Sequence, residues 1–438
     1  MELFPGCFRK ILDNRVEIIG QEERQSKSIS LGLWFKRGSR DEHPDESGIT
    51  HLIEHLLFRG TENRTAFQIT RDVDQLGGHI NGSTSKEYLM LSLRLLPESL
   101  SEGIDILTDL ALNPLFREED FDLEKNVVLE EIRSSRDNHQ SETVRFLQEA
   151  IWGGNSGLSL PVTGTEETLT ELTREKVRNR FRNLSVPNQM TITAAGDLDF
   201  QNLTAEVEDS LAEIKPSPDR EDISSEPQNS PSEKSPGKVE KNWRDINQLH
   251  CALGLEGLAE KDEDRFALEM LNVILGQGMS SRLFRKVRKK HGLAYQVTTS
   301  TQYFSDTGLF LAYGAMAPGN LDKFLEFVQE EFSDLRNNPV TLAELDLAKK
   351  KTRGNLVLGL ESNRAIMGRL GIKALHKADF LSVDEVIGKI EDVTREDIQK
   401  VARKVIKEEN LNYSLLGPKV KNPDIKPGHI KKQCKDSI

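Results

Sequence analysis

The sequence predicts an α+β protein made of two copies of one domain. Three observations predict this fold class: strand and helix patterns alternate along the chain, their order occurs twice, and a proline-rich segment separates the copies. The predicted boundaries are 1–214 for the first domain, 215–240 for a linker, 241–420 for the second domain and 421–438 for a basic tail.

The bulk composition indicates a soluble globular protein and narrows its partners. The 438 residues are 30% charged and 36% hydrophobic, and the net charge of −12 argues against nucleic acid, because a phosphate backbone selects basic surfaces. The three cysteines are far apart, which is typical of a reducing compartment. Neither a secretory signal nor an apolar run of about 18 residues is visible, so we expect a cytoplasmic protein and no membrane partner.

The first copy is predicted to alternate strands with helices. Its predicted elements are strands within 16–36, helices at 48–58 and 66–76, a hairpin at 79–95, helices at 98–112, 119–137 and 171–183, and a strand at 190–196. After it, residues 215–240 contain five prolines among serine and charged residues. Such a segment buries too little apolar surface to offset the entropy of ordering, so we expect an extended, exposed linker.

The same order of elements recurs after the linker, at an offset of about 221 to 225 residues. Residues 113–125, which begin with Asn-Pro, match residues 338–349 most clearly. The other matching segments are a strand at 250–255, a helix at 264–275, paired strands at 294–300 and 308–313, and a closing strand at 413–417. We therefore predict that the two domains are homologous.

One helix of the first copy carries a metal-ligand pattern. Residues 48–58, read as a helix, place His51, Glu54 and His55 on one face, at i, i+3 and i+4. Two imidazoles one turn apart can hold one metal ion, and a carboxylate between them can reach a water bound to it, as in the reversed zincin motif H-x-x-E-H. The matching helix of the second copy has no histidine, which indicates that packing alone does not require these residues.

A carboxylate from the predicted helix at 119–137 is the expected third ligand, because two imidazoles, a carboxylate and a water form a common catalytic zinc set. Glu124 and Glu131 are seven residues apart and share one face of this helix, whereas the adjacent Glu130 is rotated by about 100°. The second copy has alanine and asparagine at the two matching positions. The spacing alone leaves Glu124 and Glu131 open as the ligand.

Further motifs extend this pattern over nearly the whole chain. They are Gly38–Arg40, Phe58–Thr61, Gly77–Asn81 and Asp122–Ile132 in the first copy, and Gly276–Phe284 and Arg288–Tyr295 in the second. Together with H-x-x-E-H they resemble the short bacterial members of the pitrilysin and mitochondrial-processing-peptidase family of zinc peptidases, the inverzincins. The resemblance implies one zinc ion per chain and two α/β-sandwich domains, each with a mainly antiparallel sheet, that form half of a clamshell chamber. Two departures are Gly82, where the family often has alanine, and the long linker.

The resemblance also implies roles for individual residues. It assigns the metal to His51, His55 and Glu131, and a supporting carboxylate to Glu124. It places Arg288 and Tyr295 on the substrate backbone near the bond that is cut. A basic run at 285–291 leaves open that Arg288 belongs only to a solvated helix face.

The chemistry adds two further assignments. Glu54 lies between the ligands and is expected to be the general base for a zinc-activated water, while Tyr295 donates a hydrogen bond to the developing oxyanion. Residues 79–84 are a candidate edge strand onto which an extended peptide adds, with Asn81 contacting the substrate. Asn81-Gly82 is also a strong turn signal, so a turn remains the alternative.

The expected function is that of a zinc-dependent endopeptidase which hydrolyses short or unfolded peptides inside a closed chamber. The alternative is a non-catalytic or partner-dependent scaffold subunit of a related heterodimer. Such relatives typically lack either the metal residues or the Arg/Tyr pair, and this chain has both. We therefore expect an active homodimer whose active site is shared across protomers.

Overall fold

The computed structural model describes residues 1–212 and 237–420. The described residues form two compact units: the first contains 1–134, 160–212 and 358–382, and the second contains 135–159, 237–357 and 383–420. Residues 215–236 of the predicted linker and the whole predicted tail, 421–438, lie outside the described residues.

Strands and helices alternate along both described ranges. The strands are β1 (Glu2–Phe4), β2 (Cys7–Ile11), β3 (Glu17–Glu22), β4 (Ile29–Phe35), β5 (His79–Thr84), β6 (Leu89–Leu95), β7 (Met190–Gly196), β8 (Val239–Trp243), β9 (Leu249–Glu256), β10 (Ala294–Tyr303), β11 (Gly308–Met316) and β12 (Asn412–Gly417). The helices are α1 (Ile49–Leu57), α2 (Ala66–Gln75), α3 (Leu100–Leu112), α4 (Glu118–Ser135), α5 (His139–Trp152), α6 (Glu166–Glu171), α7 (Arg174–Leu184), α8 (Phe200–Ser210), α9 (Arg265–Gly276), α10 (Leu321–Asn337), α11 (Leu342–Gly359), α12 (Asn363–Leu375), α13 (Val383–Asp392) and α14 (Arg395–Val405).

Each unit is built on one sheet, and the two sheets share a topology. The first has the order β1-β2-β3-β7-β4-β6-β5 and the second the order β10-β11-β9-β12-β8. In each, one pair is parallel, β3 with β7 and β8 with β12, and the other pairs are antiparallel. The second sheet therefore repeats the last five strands of the first in order and direction. The predicted fold class of two homologous, mainly antiparallel domains packed with helices is confirmed.

Alternation along β4 shows how the first sheet is covered. Leu31, Leu33 and Phe35 point into the apolar core that also contains α1 and α3. Trp34 points to the opposite face, where it is buried against Met367 of α12. Burying each such side chain contributes about 1.5–3 kcal/mol, so helices on both faces stabilise this central strand.

Each unit contains one helix that comes from the other copy of the sequence repeat, and we call this the exchange of α5 and α12. Helix α5 follows α4 in the first copy but belongs to the second unit, where Leu147 packs against Gly254 of β9. Helix α12 follows α11 in the second copy but belongs to the first unit. A Cβ on Gly371 of α12 would lie 2.2 Å from the Trp34 ring, so only glycine allows this approach.

The sequence patterns do not predict this exchange, and the predicted domain boundaries describe the repeat along the chain rather than the compact units. Strand β8 begins at Val239, before the predicted start of the second domain at 241. Within the described ranges, no helix has both the length and the apolar character needed to cross a membrane. The cytoplasmic location stays a prediction.

Candidate metal centre

Helix α1 carries the first part of the site, and its start is held by a buried carboxylate. Gly48 precedes the helix with a φ of +96°, a conformation that favours glycine. Glu42 accepts hydrogen bonds of 2.8 Å from the backbone N–H groups of Gly48 and Thr50. These two groups have no partner within the helix, so Glu42 both caps α1 and orients its first turn. Burial raises the pKa of Glu42 to about 7, although hydrogen bonds from Thr50 and the charge of Arg180 oppose the shift.

His51, His55 and Glu131 converge on one point. The Oε2 atom of Glu131, on α4, lies 3.8 Å from Nε2 of His51 and 3.6 Å from Nε2 of His55. One donor atom from each of the three residues lies within 4.8 Å of the others. Two ligands of a tetrahedral zinc ion are about 3.4 Å apart when each bond is about 2.1 Å, so the three donors fit such an ion after small movements.

The two imidazoles differ in the direction of their pKa shifts and in their hydrogen bonds. Burial, together with the nearby His55, lowers the pKa of His51 to about 4, so this ring is neutral at pH 7 and free to act as a ligand. Its Nδ1 atom is buried and makes no hydrogen bond within the described part of the chain. Within the described residues, His51 therefore lacks at Nδ1 the carboxylate partner that orients His55.

Glu124 lies behind His55. Its Oε2 atom is 2.8 Å from Nδ1 of His55, and its Oε1 atom accepts a 2.5 Å hydrogen bond from Nε of Arg59. Burial alone would raise the pKa of Glu124, but the hydrogen bonds from His55 and Arg59 outweigh it and hold the pKa below its usual value. The same hydrogen bond raises the pKa of His55. A carboxylate that accepts Nδ1–H leaves Nε2 of His55 as the donor to a metal.

Glu54 interacts electrostatically with His55 and Glu131, and its hydrogen-bond partner is a residue of β5. Thr84 of β5 donates a 2.5 Å hydrogen bond to its Oε2 atom, and a Cβ on Gly82 would lie 2.6 Å from its Cγ atom. Burial raises the pKa of the Glu54 carboxyl above its usual value, and the hydrogen bond from Thr84 opposes the shift only in part. A raised pKa makes this carboxylate a better proton acceptor.

Strand β5 is an edge of the first sheet, where it pairs with β6. Asn81 and Gly82 both lie inside this strand, so the alternative that they form a turn is wrong. Gly82 faces Glu54, and alternation along the strand directs Asn81 to the opposite face. There the Asn81 side chain lines a cavity and does not join the group around Glu54.

Arg288 and Tyr295 contact each other in the second unit. Arg288 lies in a short π-helix, Phe284–Lys290. Such helices are rare in proteins, and those that occur are often found at functional sites. The Arg288 guanidinium lies 5.0 Å from the centre of the Phe284 ring and 5.2 Å from that of Tyr295. Tyr295 is 73% exposed, so its hydroxyl is accessible to a ligand. Arg288 is itself exposed, so the two ring contacts leave the alternative of a solvated basic face open.

Three residues that support the site were not predicted to do so: Glu42, Arg59 and Thr84. Arg59 lies within the motif Phe58–Thr61, two residues past the end of α1 and four residues after His55. Its place in that motif is the signal that was available for it. Glu42 and Thr84 act through contacts with α1 that no local pattern reveals.

Two sheets of shared topology and a cluster of two histidines and a glutamate define a two-domain protein with a candidate metal centre in its first unit. Residues 17–166 match the family model described as Insulinase (Peptidase family M16), and residues 171–352 match the one described as Peptidase M16 inactive domain. The chain belongs to peptidase family M16, which confirms the resemblance drawn from the motifs.

Relatives of this chain carry consistent names. A Streptomyces coelicolor protein described as an uncharacterized zinc protease is 35% identical over 94% of this chain and 89% of its own length. The uncharacterized zinc protease YmxG of Bacillus subtilis is 32% identical over 92% of this chain and 96% of its own length. The crystal structure of a protease from Helicobacter pylori has the same fold, with a TM-score of 0.87, 22% identity and coverage of 94% of this chain and 99% of that one.

Proposed function

We propose that this protein is a zinc-dependent endopeptidase that hydrolyses short or unfolded peptides, with one zinc ion held by His51, His55 and Glu131. The observation that carries the proposal is the convergence of these three donors beside a carboxylate, Glu54, that is not among them. The names of the relatives support zinc and proteolysis.

The residues around the donors suit peptide hydrolysis. A zinc ion bound there would supply a water with a pKa of about 7 and would polarise the peptide carbonyl. Glu54 takes the proton of the attacking water on its carboxylate and returns it to the leaving amine nitrogen. Thr84 keeps the carboxylate in place, and burial keeps it basic enough to accept the proton. Glu124 and Arg59 hold His55 by its Nδ1 atom throughout.

We assign substrate binding to the free edge of β5. An extended peptide that pairs with this edge uses backbone hydrogen bonds, which suits many sequences and excludes folded proteins. The absence of a side chain on Gly82 lets Glu54 lie directly against the strand, because a Cβ there would be 2.6 Å from Cγ of Glu54. Asn81 lies on the same strand and would contact the peptide from the other face.

The activity is tested by zinc dependence. We expect the chelator-treated protein to leave a mixture of short unfolded peptides intact and the zinc-restored protein to cleave them, as read by mass spectrometry. The Glu54→Gln protein, purified and zinc-loaded in the same way, controls for contaminating peptidases. If the zinc-loaded protein cleaves no peptide, or cleaves at the same rate as Glu54→Gln, the proposal is wrong and a scaffold role takes its place.

We further propose a homodimer in which Arg288 and Tyr295 of one protomer bind substrate at the zinc of its partner. The support is the presence of both residue sets in one chain and the exposure of Tyr295. Glu54→Gln and Tyr295→Phe chains, each inactive alone, should regain about a quarter of the wild-type activity after mixing and exchange, because half of randomly paired dimers then hold one intact site. Peptide turnover that does not rise on mixing, with exchange verified by mass, would refute sharing.

A further inference from the structure

The face of the first sheet that points away from Glu54 borders a large cavity with both polar and apolar lining residues. Paired residues on antiparallel strands point to the same face, so His79, Arg94 and Ser30 form one row across β5, β6 and β4. Asn81 and Ser92 form part of the next row. These side chains line a cavity of about 970 Å³ within the first unit.

The opposite wall of the cavity comes from the segment that leads into α12. Glu361, Arg364 and Met367 line this wall. The segment is anchored by Asn363, which donates hydrogen bonds of 2.7 Å to the Ser28 carbonyl and 2.6 Å to Ser26 Oγ. The wall is therefore attached to the same sheet, and the cavity does not depend on the second unit.

The cavity lining has a net positive charge, whereas the whole chain has a net negative charge. Lys27, Arg94 and Arg364 contribute three positive charges, and Glu361 contributes the one carboxylate of the lining. Within the described residues, none of the three cations has a carboxylate partner within 4.0 Å. In a chain of net charge −12, three exposed cations that line one cavity without carboxylate partners can bind an acidic group.

The position of the cavity beside β5 indicates that the acidic group is a side chain of a bound peptide. Side chains of an added strand alternate between the two faces of the sheet, so a peptide on β5 directs every second side chain to the Asn81 face. The distance from Gly82, beside Glu54, to His79 is three residues, or about 10 Å along the strand. A side chain that reaches the cavity therefore belongs to a residue within about four positions of the cleaved bond.

We propose that this cavity is a specificity subsite for Asp or Glu side chains of the peptide substrate, bound by Arg94, Arg364 and Lys27. The proposal rests on the proposed function, because the peptide must lie on β5. Direct contact would come from the guanidinium groups, which bind a carboxylate through two parallel hydrogen bonds. Lys27 adds positive charge at the rim.

The test compares two peptides that differ only by Glu against Gln at the positions within four residues of the cleaved bond. We expect kcat/KM to be about tenfold higher for the Glu peptide at low salt, a factor consistent with two exposed ion pairs. The preference should fall at high ionic strength. Arg94→Gln combined with Arg364→Gln should reduce the ratio to near one and leave cleavage of the Gln peptide unchanged.

Arg71→Gln is the matched control, because Arg71 is an exposed arginine of the same unit that pairs with Asp72 outside the cavity. It should keep the full preference. Equal kcat/KM values for the two peptides with the wild-type protein, or a preference that the double variant retains, would overturn the proposal. A binding measurement on zinc-loaded Glu54→Gln separates this failure from failure of the proposed function. Tighter binding of the Glu peptide without any cleavage by the wild-type protein supports the subsite and refutes the peptidase.

Discussion

Replacing Glu54 with glutamine should lower kcat for peptide cleavage by about 10²- to 10⁴-fold while zinc stays bound. Glutamine keeps the size of the side chain and an oxygen that accepts the hydrogen bond from Thr84, but it cannot take a proton from water. The three donor atoms do not include Glu54, so the metal site is unchanged. Steady-state kinetics and zinc content, measured on the same preparation, check both halves of the expectation.

The control for Glu54→Gln is Glu62→Gln, which removes one negative charge from an exposed position soon after α1. Its kcat should stay within about twofold of the wild-type value, because surface substitutions of this kind have small effects. A Glu54→Gln protein that keeps its activity would show that another group accepts the proton. One that loses zinc would show that Glu54 is needed to hold the metal, contrary to its contacts.

The geometry of α1 could be predicted from the sequence because it is local. Spacing of i, i+3 and i+4 places His51, Glu54 and His55 on one face of any helix, whatever surrounds it. The apolar residues Leu52 and Leu56 indicate that the other side is buried, and both are fully buried. Helical periodicity was therefore sufficient for this part of the site.

The partners of α1 could not be predicted from spacing, because they depend on packing between distant segments. Glu124 and Glu131 share a face of α4, and the repeat marks both as specific to the first copy. Only the packing of α4 against α1 places Glu131 at Nε2 and Glu124 at Nδ1 of His55. Thr84 likewise reaches Glu54 from a strand that begins over 20 residues after α1.

Helices α5 and α12 were not among the predicted elements, and their placement in the other unit escaped prediction for a related physical reason. An apolar face shows that a helix is buried but does not specify the sheet that covers it. The pairing of β5 with β6 and of β10 with β11, by contrast, was predicted from the hairpin signals and the repeat, because neighbouring strands in sequence tend to pair. The order of the whole sheet, with β7 between β3 and β4, was not predicted. In α12 the glycine at 371 is the one local sign of a close approach, and its partner, Trp34, is more than 300 residues away.

Replacing Glu131 with glutamine should remove zinc from the protein and with it all peptide cleavage. The neutral amide is a far weaker zinc ligand than a carboxylate, and it leaves the ion with two imidazoles. We expect zinc affinity to fall by more than the factor of about 10 to 100 that supporting residues contribute. Competition with a chelator of known affinity measures the change. The free energy of unfolding of the metal-free protein should be unaltered, because Glu131 is partly exposed and its interactions are with the two histidines.

Two other glutamates on α4, Glu124 and Glu130, make this prediction specific, because the same substitution to glutamine can be made at each. Glu124→Gln should weaken zinc binding by about 10- to 100-fold, since His55 loses a charged acceptor at Nδ1 but keeps its Nε2 donor. Glu130→Gln should leave zinc affinity unchanged, because Glu130 pairs with Arg133 on the exposed side of the helix. The three variants carry the same loss of charge, so the order Glu131, Glu124, Glu130 separates ligation from support and from the general field of the helix. If Glu124→Gln reduced zinc affinity more than Glu131→Gln, Glu124 would be the ligand and Glu131 the supporting residue. Helix α4 would then have to turn about its axis when the metal binds.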